Sequence, residues 1–267
     1  MRVAYFDCIA GITGDTALAA LLDAGVDLDE VRARLATVPL EPFELEVERV
    51  EEHGLRATRV GVRADTPAGV IRTYASVRAL LDGADLPPEA HRLAHRMFRL
   101  FAEADSRVHR REPENVTFHD GLDAIVAIVG TAFGLAALGV ERVFSSAVPT
   151  GLGMAKTEHG AMPIPSPTVV ELLRGAPLFS RGVAAELTTA TGAAILAATV
   201  EGYGEIPAMR LEAIGYGAGW QRLDFPNLLR ILVGEEEPAA SRPSVAGAPD
   251  LHLVTELAEV VEPEDAG

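Results

Sequence analysis

The sequence predicts the α/β class, with a mixed sheet flanked by helices, and a mixed α+β arrangement stays open. A short apolar run at residues 2–6 leads into a glycine-containing loop and a helix. Residues 43–48 then alternate apolar and charged side chains, as a half-exposed strand does. Later strands are separated by helical segments, which favours crossover connections in addition to one N-terminal hairpin.

The first half of the chain is predicted to begin with a buried strand and to contain the hairpin. Gly25 ends the first helix, Asp27 caps the second, and His53-Gly54 forms the hairpin turn. The predicted elements, in order, are a strand at 2–6, helices at 16–24 and 28–35, strands at 43–48 and 55–62, a helix at 74–81, and a long helix from Pro87 or Pro88 to about Val108.

The second half is predicted to hold a buried core helix and a long loop that is rich in glycine and proline. A loop of that length in a compact fold more often has a function than not. The predicted elements are a helix at 121–138, a strand at 140–148, the loop at 150–167, a short helix at 168–173, two strands, a helix at 192–200, and strands at 210–217 and 227–233.

From Glu235 the composition changes to Glu, Pro, Ala and Ser, which is typical of a flexible segment. We therefore expect residues 1–234 to form one domain and residues 235–267 to be a disordered acidic tail.

The charge balance argues against nucleic acid as a partner. The chain carries 23 Lys and Arg against 39 Asp and Glu, a net charge of −16, and Lys156 is its only lysine. Binding to phosphate backbones needs clustered cationic side chains. The single cysteine, Cys8, excludes an internal disulfide, and no apolar run reaches the roughly 18–20 residues of a membrane span. We expect a cytoplasmic protein without a membrane partner.

The segment from Asp7 to Asp15 joins the end of the first strand to a helix N-terminus and contains Gly11 and Gly14. Helix N-termini and glycine loops suit anions, and paired carboxylates hold divalent cations. Asp7 and Asp15 are therefore candidate metal ligands, and the two glycines are candidate ligand-binding positions. The alternative is that Thr13 or Asp15 only caps the helix.

A second candidate metal segment precedes the apolar helix. His119, Asp120 and Asp123 lie within five residues, and imidazole with carboxylate suits nickel or zinc. The alternative is an ordinary acidic helix start that the helix dipole favours.

Two further segments favour an anionic ligand. The glycine-rich loop offers Gly151, Gly153, Lys156 and His159, and its alternative interpretation is a structural loop. The segment 186–192 offers hydroxyl groups at a helix start, with Thr189 and Thr191 as candidates for ligand binding or for simple capping.

His91 and His95 have the i, i+4 spacing that metal sites use. Because Arg92, Arg96 and Arg99 neighbour them in the sequence, we interpret this pair as part of a solvated helix face.

Several of these segments occur, in order, in one known family. They are Phe6-Asp7-Cys8-Ile9-Ala10-Gly11-Ile12-Thr13-Gly14-Asp15, Arg72-Thr73-Tyr74, Val116-Thr117-Phe118-His119, Val148-Pro149-Thr150-Gly151-Leu152-Gly153, His159-Gly160-Ala161-Met162-Pro163-Ile164-Pro165-Ser166-Pro167, Glu186-Leu187-Thr188-Thr189-Ala190-Thr191-Gly192-Ala193-Ala194, Ile214-Gly215-Tyr216-Gly217-Ala218-Gly219 and Pro226-Asn227-Leu228-Leu229-Arg230. With them the chain resembles the front part of the nickel-insertion proteins that complete the nickel-pincer cofactor of lactate racemase.

The resemblance implies a CTP-dependent nickel chelatase. Such proteins insert nickel into pyridinium-3,5-bisthiocarboxylic acid mononucleotide and form carbon–nickel and sulfur–nickel bonds. It places nickel near the acidic candidates and the mononucleotide near Lys156, His159, Thr189 and Thr191, with His159 and Lys156 as the catalytic candidates. CTP with Mg or Mn would be bound by a second domain or by a separate polypeptide.

The chain also departs from the family pattern. Residues 65–71 contain no histidine where the family usually carries a histidine-rich stretch, and Ala127 stands where a second helix aspartate is usual. Members of the family continue into a second domain. Residues 253–257 of this chain resemble the first strand of that domain. A catalytically silent relative that binds metal or mononucleotide as a scaffold is therefore the alternative function, and a phosphohydrolase that uses Asp7 and Asp15 is a third.

Overall fold

The computed structural model describes residues 1–64, 70–118, 121–157 and 160–237. Within these ranges the helices are α1 (Gly14–Asp23), α2 (Leu28–Leu35), α3 (Tyr74–Asp82), α4 (Pro88–His109), α5 (Gly121–Ala137), α6 (Pro167–Leu172) and α7 (Ala190–Thr199), with a 3₁₀ turn at Pro113–Asn115. The strands are β1 (Arg2–Asp7), β2 (Phe43–Glu52), β3 (Leu55–Ala64), β4 (Arg72–Thr73), β5 (Thr117–Phe118), β6 (Arg142–Ser145), β7 (Val148–Thr150), β8 (Met154–Thr157), β9 (Gly160–Pro163), β10 (Leu178–Ser180), β11 (Val200–Tyr203), β12 (Met209–Ala218) and β13 (Leu228–Glu236).

A seven-stranded mixed sheet organises the fold, in the order β11-β6-β1-β13-β12-β3-β2. The strand β1 pairs in parallel with β6 and antiparallel with β13, and β12 pairs in parallel with β3. Three two-stranded sheets, β10-β7, β4-β5 and β8-β9, accompany it among the described residues. The predicted α/β class with a mixed sheet is confirmed.

The predicted hairpin is also confirmed, as β2 and β3. His53 and Gly54 form its turn with φ values of 50° and 78°, which match the right-handed twist of a two-residue hairpin loop. Every residue of β2 has a partner in β3, from Phe43 opposite Ala64 to Glu52 opposite Leu55.

The predicted strand at 140–148 is wrong, because the chain forms two strands there. The strand β6 ends at Ser145 in the main sheet, and β7 pairs with β10 instead. Ser146 separates them: its hydroxyl accepts the Cys8 N–H at 3.0 Å and donates to the carbonyl of Ala147 at 2.9 Å. These local hydrogen bonds compete with the strand ladder.

The predicted loop at 150–167 contains the hairpin β8-β9, which its glycines and prolines concealed. Between α6 and α7 the structure has one strand, β10, where two were predicted, and β11 follows α7. The prediction of a disordered tail at residues 235–267 stays a prediction, because residues from 238 onward lie outside the described ranges.

Helix α1 lies directly on strand β12 because the strand has glycines at the contact. A Cβ at Gly217 would lie 2.0 Å from the carbonyl oxygen of Thr16, and one at Gly215 would lie 1.9 Å from that of Ala20. No side chain fits between the two backbones, so the position of α1 on the sheet is fixed at these two residues.

Helix α5 packs behind α1 and next to α4, and its residues from Ala124 to Leu135 are buried. The prediction of a buried core helix is confirmed. Among the described helices, none is long and apolar enough to cross a membrane.

Cys8 is a core residue. It is 3% exposed, and burial raises the pKa of its thiol to about 12, with Ser145 Oγ 3.6 Å from the sulfur. The thiol is therefore neutral at pH 7, which does not suit a thiolate metal ligand.

Candidate functional site

A cavity of about 620 Å³ lies where several helices begin. Its wall includes polar residues from helices α1, α4, α5, α6 and α7, from strand β5 and from connecting segments, among them the one between β12 and β13. They are Thr13, Asp15, Asp105, His109, Arg111, Thr117, Asp123, Ser166, Thr168, Glu186, Thr189, Thr191, Gln221 and Asn227. Apolar side chains such as Leu18, Phe101 and Met162 complete it.

The N-terminal ends of three long helices meet at this cavity. Thr13 and Gly14 at the start of α1, Asp123 in the first turn of α5, and Thr189 at the start of α7 all line it. Helix N-termini present backbone N–H groups and the positive end of the helix dipole. Their convergence favours an anionic ligand.

Asp15 brings a carboxylate to the same place. Its side chain is largely buried, and this burial raises its pKa above the usual value, although the hydroxyl of Thr13 donates a hydrogen bond to it and opposes the shift. Thr13 is the N-cap of α1, and its hydroxyl accepts the Thr16 N–H at 3.4 Å. The capping role therefore belongs to Thr13.

Asp105 and His109 add a carboxylate–imidazole pair from α4. His109 Nε2 lies 3.5 Å from Asp105 Oδ1, and Thr168 Oγ1 donates to the same oxygen at 3.1 Å. A carboxylate that holds an imidazole in this way fixes the orientation of the ring, which is an arrangement common to metal sites and to general bases.

Glu186 is a further acidic side chain of the cavity wall. It precedes α7, is half-buried, and burial raises its pKa above the usual value. A carboxyl group with a raised pKa is a stronger base than an exposed one once it is ionised.

The start of α5 is held in place by the packing of Phe118, shortly before the helix, and of Gly121, its first residue. Phe118 packs edge-on against Phe98 and Phe101, with ring centroids 5.3 and 5.0 Å apart. On the other side, the buried Arg72 side chain covers Gly121, where a Cβ would lie 3.2 Å from Arg72 Cδ. Asp123 is thereby positioned in the first turn of the helix, on the cavity wall.

Five of the residues predicted from the sequence line the cavity together. They are Gly14, Asp15, Asp123, Thr189 and Thr191. Gly14 also explains how closely the helices meet, since a Cβ there would lie 2.7 Å from Ala127 Cβ and 2.8 Å from Thr191 Cγ2. The alternative role predicted for Thr189 is confirmed, because its hydroxyl caps α7 by accepting the Gly192 N–H at 3.3 Å, and its predicted ligand contact stays a prediction.

Asp7 is placed differently: it is not among the described residues that line the cavity. It lies opposite Arg230 in the β1–β13 ladder and accepts hydrogen bonds from Nε at 3.0 Å and from Nη2. A cross-strand ion pair therefore explains why a charged residue ends this apolar strand, and the predicted metal role of Asp7 stays a prediction.

Four other predicted residues lie away from the cavity wall. A Cβ at Gly11 would lie 2.1 Å from the carbonyl oxygen of Leu187, and one at Gly151 would lie 1.4 Å from that of Ala185, so both glycines allow close backbone packing. Gly153 has a φ of +105° before β8, and Lys156 is exposed on β8. Their predicted ligand contacts stay predictions.

His119, Asp120 and His159 lie outside the described residues. His119 and Asp120 come directly before α5, and His159 comes between β8 and β9.

Reasoning from the sequence did not select Asp105, His109, Glu186 and Trp220 as candidate site residues. The i, i+4 spacing of Asp105 and His109 was a usable signal, whereas nothing local to Trp220 pointed to the cavity. Trp220 is 58% exposed, its Nε1–H donates to the carbonyl of Val60 at 3.2 Å, and the guanidinium of Arg59 lies 5.1 Å from its ring centroid.

The cavity combines two chemical capacities in one place. Three helix N-termini and hydroxyl groups suit an anionic ligand, and carboxylates with an imidazole suit a divalent metal ion of the nickel or zinc type. The fold and the cavity thus define a class of α/β protein whose cavity suits both a metal ion and an anionic small molecule.

The particular family follows from comparison of the sequence. The family model described as "Nickel insertion protein" matches residues 4–248. The chain belongs to the nickel insertion protein family, and the resemblance inferred from its motifs is confirmed.

Curated relatives agree with this family over most of the chain. The putative nickel insertion protein of Geobacter sp. (strain M21) is 44% identical over 241 residues, which cover 88% of this chain and 62% of the relative. The pyridinium-3,5-bisthiocarboxylic acid mononucleotide nickel insertion protein of Desulfitobacterium hafniense (strain DSM 10664 / DCB-2) is 40% identical over 237 residues, 88% of this chain and 59% of the relative.

The chain therefore spans about three fifths of the length of these curated relatives. No solved structure matches it.

Proposed function

We propose that this chain takes part in the insertion of nickel into pyridinium-3,5-bisthiocarboxylic acid mononucleotide and that the cavity is where the nickel ion and the mononucleotide meet. The observation that carries this proposal is the convergence of the α1, α5 and α7 N-termini with Asp15, Asp123 and Glu186 on one cavity. The name of the Desulfitobacterium hafniense relative supplies the substrate.

The proposed arrangement divides the cavity by charge. The phosphate and thiocarboxylate groups of the substrate bind at the helix N-termini, where Thr189 and Thr191 offer hydroxyl groups. Nickel, which is a substrate of the reaction, is held by Asp15 and Asp123 together with His119 and Asp120, as the sequence predicts. The paired carboxylates then face a cation, which offsets their mutual repulsion.

The reaction forms one carbon–nickel bond and replaces a ring C–H bond, so a proton must leave the pyridinium carbon. We assign this proton to Glu186, because its raised pKa makes its carboxylate a suitable acceptor. The two sulfur–nickel bonds need no proton from carbon. Lys156 and His159 stay the predicted catalytic side chains of the β8-β9 hairpin, which borders the cavity through Met162.

Trp220 suits the substrate ring. A pyridinium ring is cationic and flat, and the indole of Trp220 offers an exposed aromatic face at the cavity. CTP with Mg or Mn, a separate nucleotide-binding polypeptide and a cytoplasmic location remain part of the proposal for the whole reaction.

The test measures nickel transfer and substrate binding separately. The purified chain is mixed with the mononucleotide, Ni²⁺, CTP and Mg²⁺, and the nickel-containing product is detected by mass spectrometry. Trp220 is the only tryptophan of the chain, so its fluorescence reports binding at the cavity.

We expect Glu186→Gln to slow product formation by about 100-fold or more while binding persists, since general bases contribute roughly 10²–10⁴-fold. Glu201→Gln is the matched control, because Glu201 lies on β11 and pairs with Arg142 at 2.8 Å, away from the cavity. Binding without product would favour the silent scaffold, and neither binding nor product would overturn the proposal.

A further inference from the structure

A second cluster of metal-ligating side chains lies outside the cavity, where the end of α3 meets the first half of α4. Asp82 is the last residue of α3, and His91 and His95 lie on successive turns of α4. One ligand atom from each residue can be chosen so that all three lie within 4.8 Å of one another. This is the one such group of three among the described residues.

We propose that Asp82, His91 and His95 form a binding site for a divalent transition-metal ion of the nickel or zinc type. Two imidazole nitrogens and one carboxylate oxygen are the donor set that these borderline metals prefer over Mg²⁺ or Ca²⁺. The remaining coordination positions stay available to water, as in sites with three protein ligands.

The distances fit this donor set. His95 Nε2 lies 3.2 Å from Asp82 Oδ1, and the two imidazole ring centroids are 4.4 Å apart. Two ligand atoms bound to one metal at about 2.0–2.2 Å lie about 3–3.5 Å from each other, so the carboxylate and the His95 ring need little movement.

His95 Nε2 gives a second, independent indication. This atom is buried and has no hydrogen-bond partner, although Asp82 Oδ1 lies 3.2 Å from it. A buried polar atom without a partner is costly, and a metal ion between the two groups would satisfy both.

The electrostatic setting also suits a cation. Asp82 ends α3, where the negative end of the helix dipole disfavours a carboxylate and favours a positive charge.

The positive charges of the nearby arginines do not prevent a cation from binding at this site. Arg78 faces His95 from α3, but its guanidinium is paired with Glu114 at 3.0 Å. Arg92 and Arg96 are exposed residues that follow each histidine, about 100° further around the helix. The spacing of the two histidines in the sequence did not reveal the third ligand, because the carboxylate of Asp82 comes from a different helix.

The site is separate from the cavity. Asp105 follows His95 by ten residues along α4, which corresponds to about 15 Å at 1.5 Å per residue. A metal ion at the α3–α4 junction therefore does not depend on the cavity ligands, and the inference goes beyond the proposed function.

The test is a calorimetric titration of the full chain with Ni²⁺ and with Zn²⁺, and with Mg²⁺ as the unsuitable ion. A chain carrying Asp15→Asn and Asp123→Asn isolates this site from the cavity. In that background we expect one equivalent of Ni²⁺ or Zn²⁺ to bind and Mg²⁺ not to bind. Adding His91→Gln with His95→Gln is expected to weaken binding by at least about 100-fold, since loss of groups that merely support ligands already costs 10–100-fold.

The matched control is His53→Asn. His53 also lies 3.5 Å from a carboxylate, that of Glu52, but it has no second imidazole. It has a φ of 50°, which asparagine tolerates. This variant is expected to bind as tightly as its parent, and circular dichroism checks that all variants are folded.

A spectroscopic readout locates the ion independently. Ni²⁺ is paramagnetic, so in the chain carrying Asp15→Asn and Asp123→Asn sub-stoichiometric amounts are expected to broaden the imidazole proton resonances of His91 and His95 before those of the other histidines. Unchanged binding in the double histidine variant, broadening of other histidines first, or no binding at millimolar Ni²⁺ and Zn²⁺ would each overturn the proposal. In the last case the cluster is an ion pair between Asp82 and protonated His95.

Discussion

The close contact of Gly14 with α5 and α7 gives a sharp test of how the cavity is built. In Gly14→Ala, the new Cβ would lie 2.7 Å from Ala127 Cβ and 2.8 Å from Thr191 Cγ2, both inside normal contact distance. The N-terminus of α1 must then move away from those of its neighbours. Gly14 has an ordinary helical φ, so backbone strain does not contribute.

The expected magnitude follows from two opposing effects. Overpacking a close contact costs about 1–3 kcal/mol, and alanine regains part of up to about 1 kcal/mol of helix preference, less at a first helical residue. The net loss of unfolding free energy is about 1–2 kcal/mol. For a domain of this size that lowers Tm by about 2–8 °C.

The assay is thermal unfolding followed by circular dichroism, with a double-mutant cycle. Thr191→Ser removes the Cγ2 methyl group but keeps the hydroxyl, so it is expected to recover about 0.5 kcal/mol or more in the Gly14→Ala background. Gly83→Ala is the control, because its Cβ would meet nothing closer than 3.7 Å and its φ is −86°. Wild-type Tm in Gly14→Ala, or strict additivity with Thr191→Ser, would refute the reasoning.

Three further predictions concern charge and ligand binding. Burial raises the pKa of Asp15 in the folded protein, so the stability that its carboxyl group contributes is present below its unfolded pKa, near 3.8, and is lost as the pH rises through the folded pKa. Asp15→Asn is therefore expected to raise Tm at pH 7 and to leave it unchanged near pH 3.5. A lower Tm at pH 7 would contradict this. Arg230→Gln is expected to cost only about 0.5–1 kcal/mol in urea unfolding, because the side chains of Arg230 and Asp7 are 34% and 21% exposed and solvent screens the pair. Trp220→Ala is expected to weaken mononucleotide binding by about 2- to 30-fold in calorimetry, as loss of a cation–π contact of about 0.5–2 kcal/mol requires, whereas Trp220→Phe should retain most of the affinity.

Much of the fold was predictable because its signals are local. The hairpin at His53-Gly54, the N-cap at Asp27 and the long helix α4 follow from side-chain alternation, capping residues and helical periodicity, and each appears in the structure. The break at Ser146 and the β8-β9 hairpin were missed, because their strands are short and are defined by hydrogen bonds to distant or neighbouring segments.

The candidate site was predictable in part. Asp15, Asp123, Thr189 and Thr191 lie at glycine- or threonine-rich helix starts, and the structure places all four on the cavity wall, while their predicted ligand roles stay predictions. Asp7 shows the limit of the same reasoning, since its partner Arg230 is 223 residues away in the sequence and only the β1–β13 register brings them together.

The sequence by itself therefore determined the class of fold, the family and the helix starts that favour an anion, because each depends on residues that are neighbours along the chain. Only the tertiary structure decided which of these starts face one cavity, that Asp105, His109 and Glu186 join them, and that Asp82 meets His91 and His95. Those meetings depend on the packing of α1 on β12, of α5 on α1 and of α3 on α4. Such packing is a sum of many weak contacts between distant segments, and no local pattern encodes it.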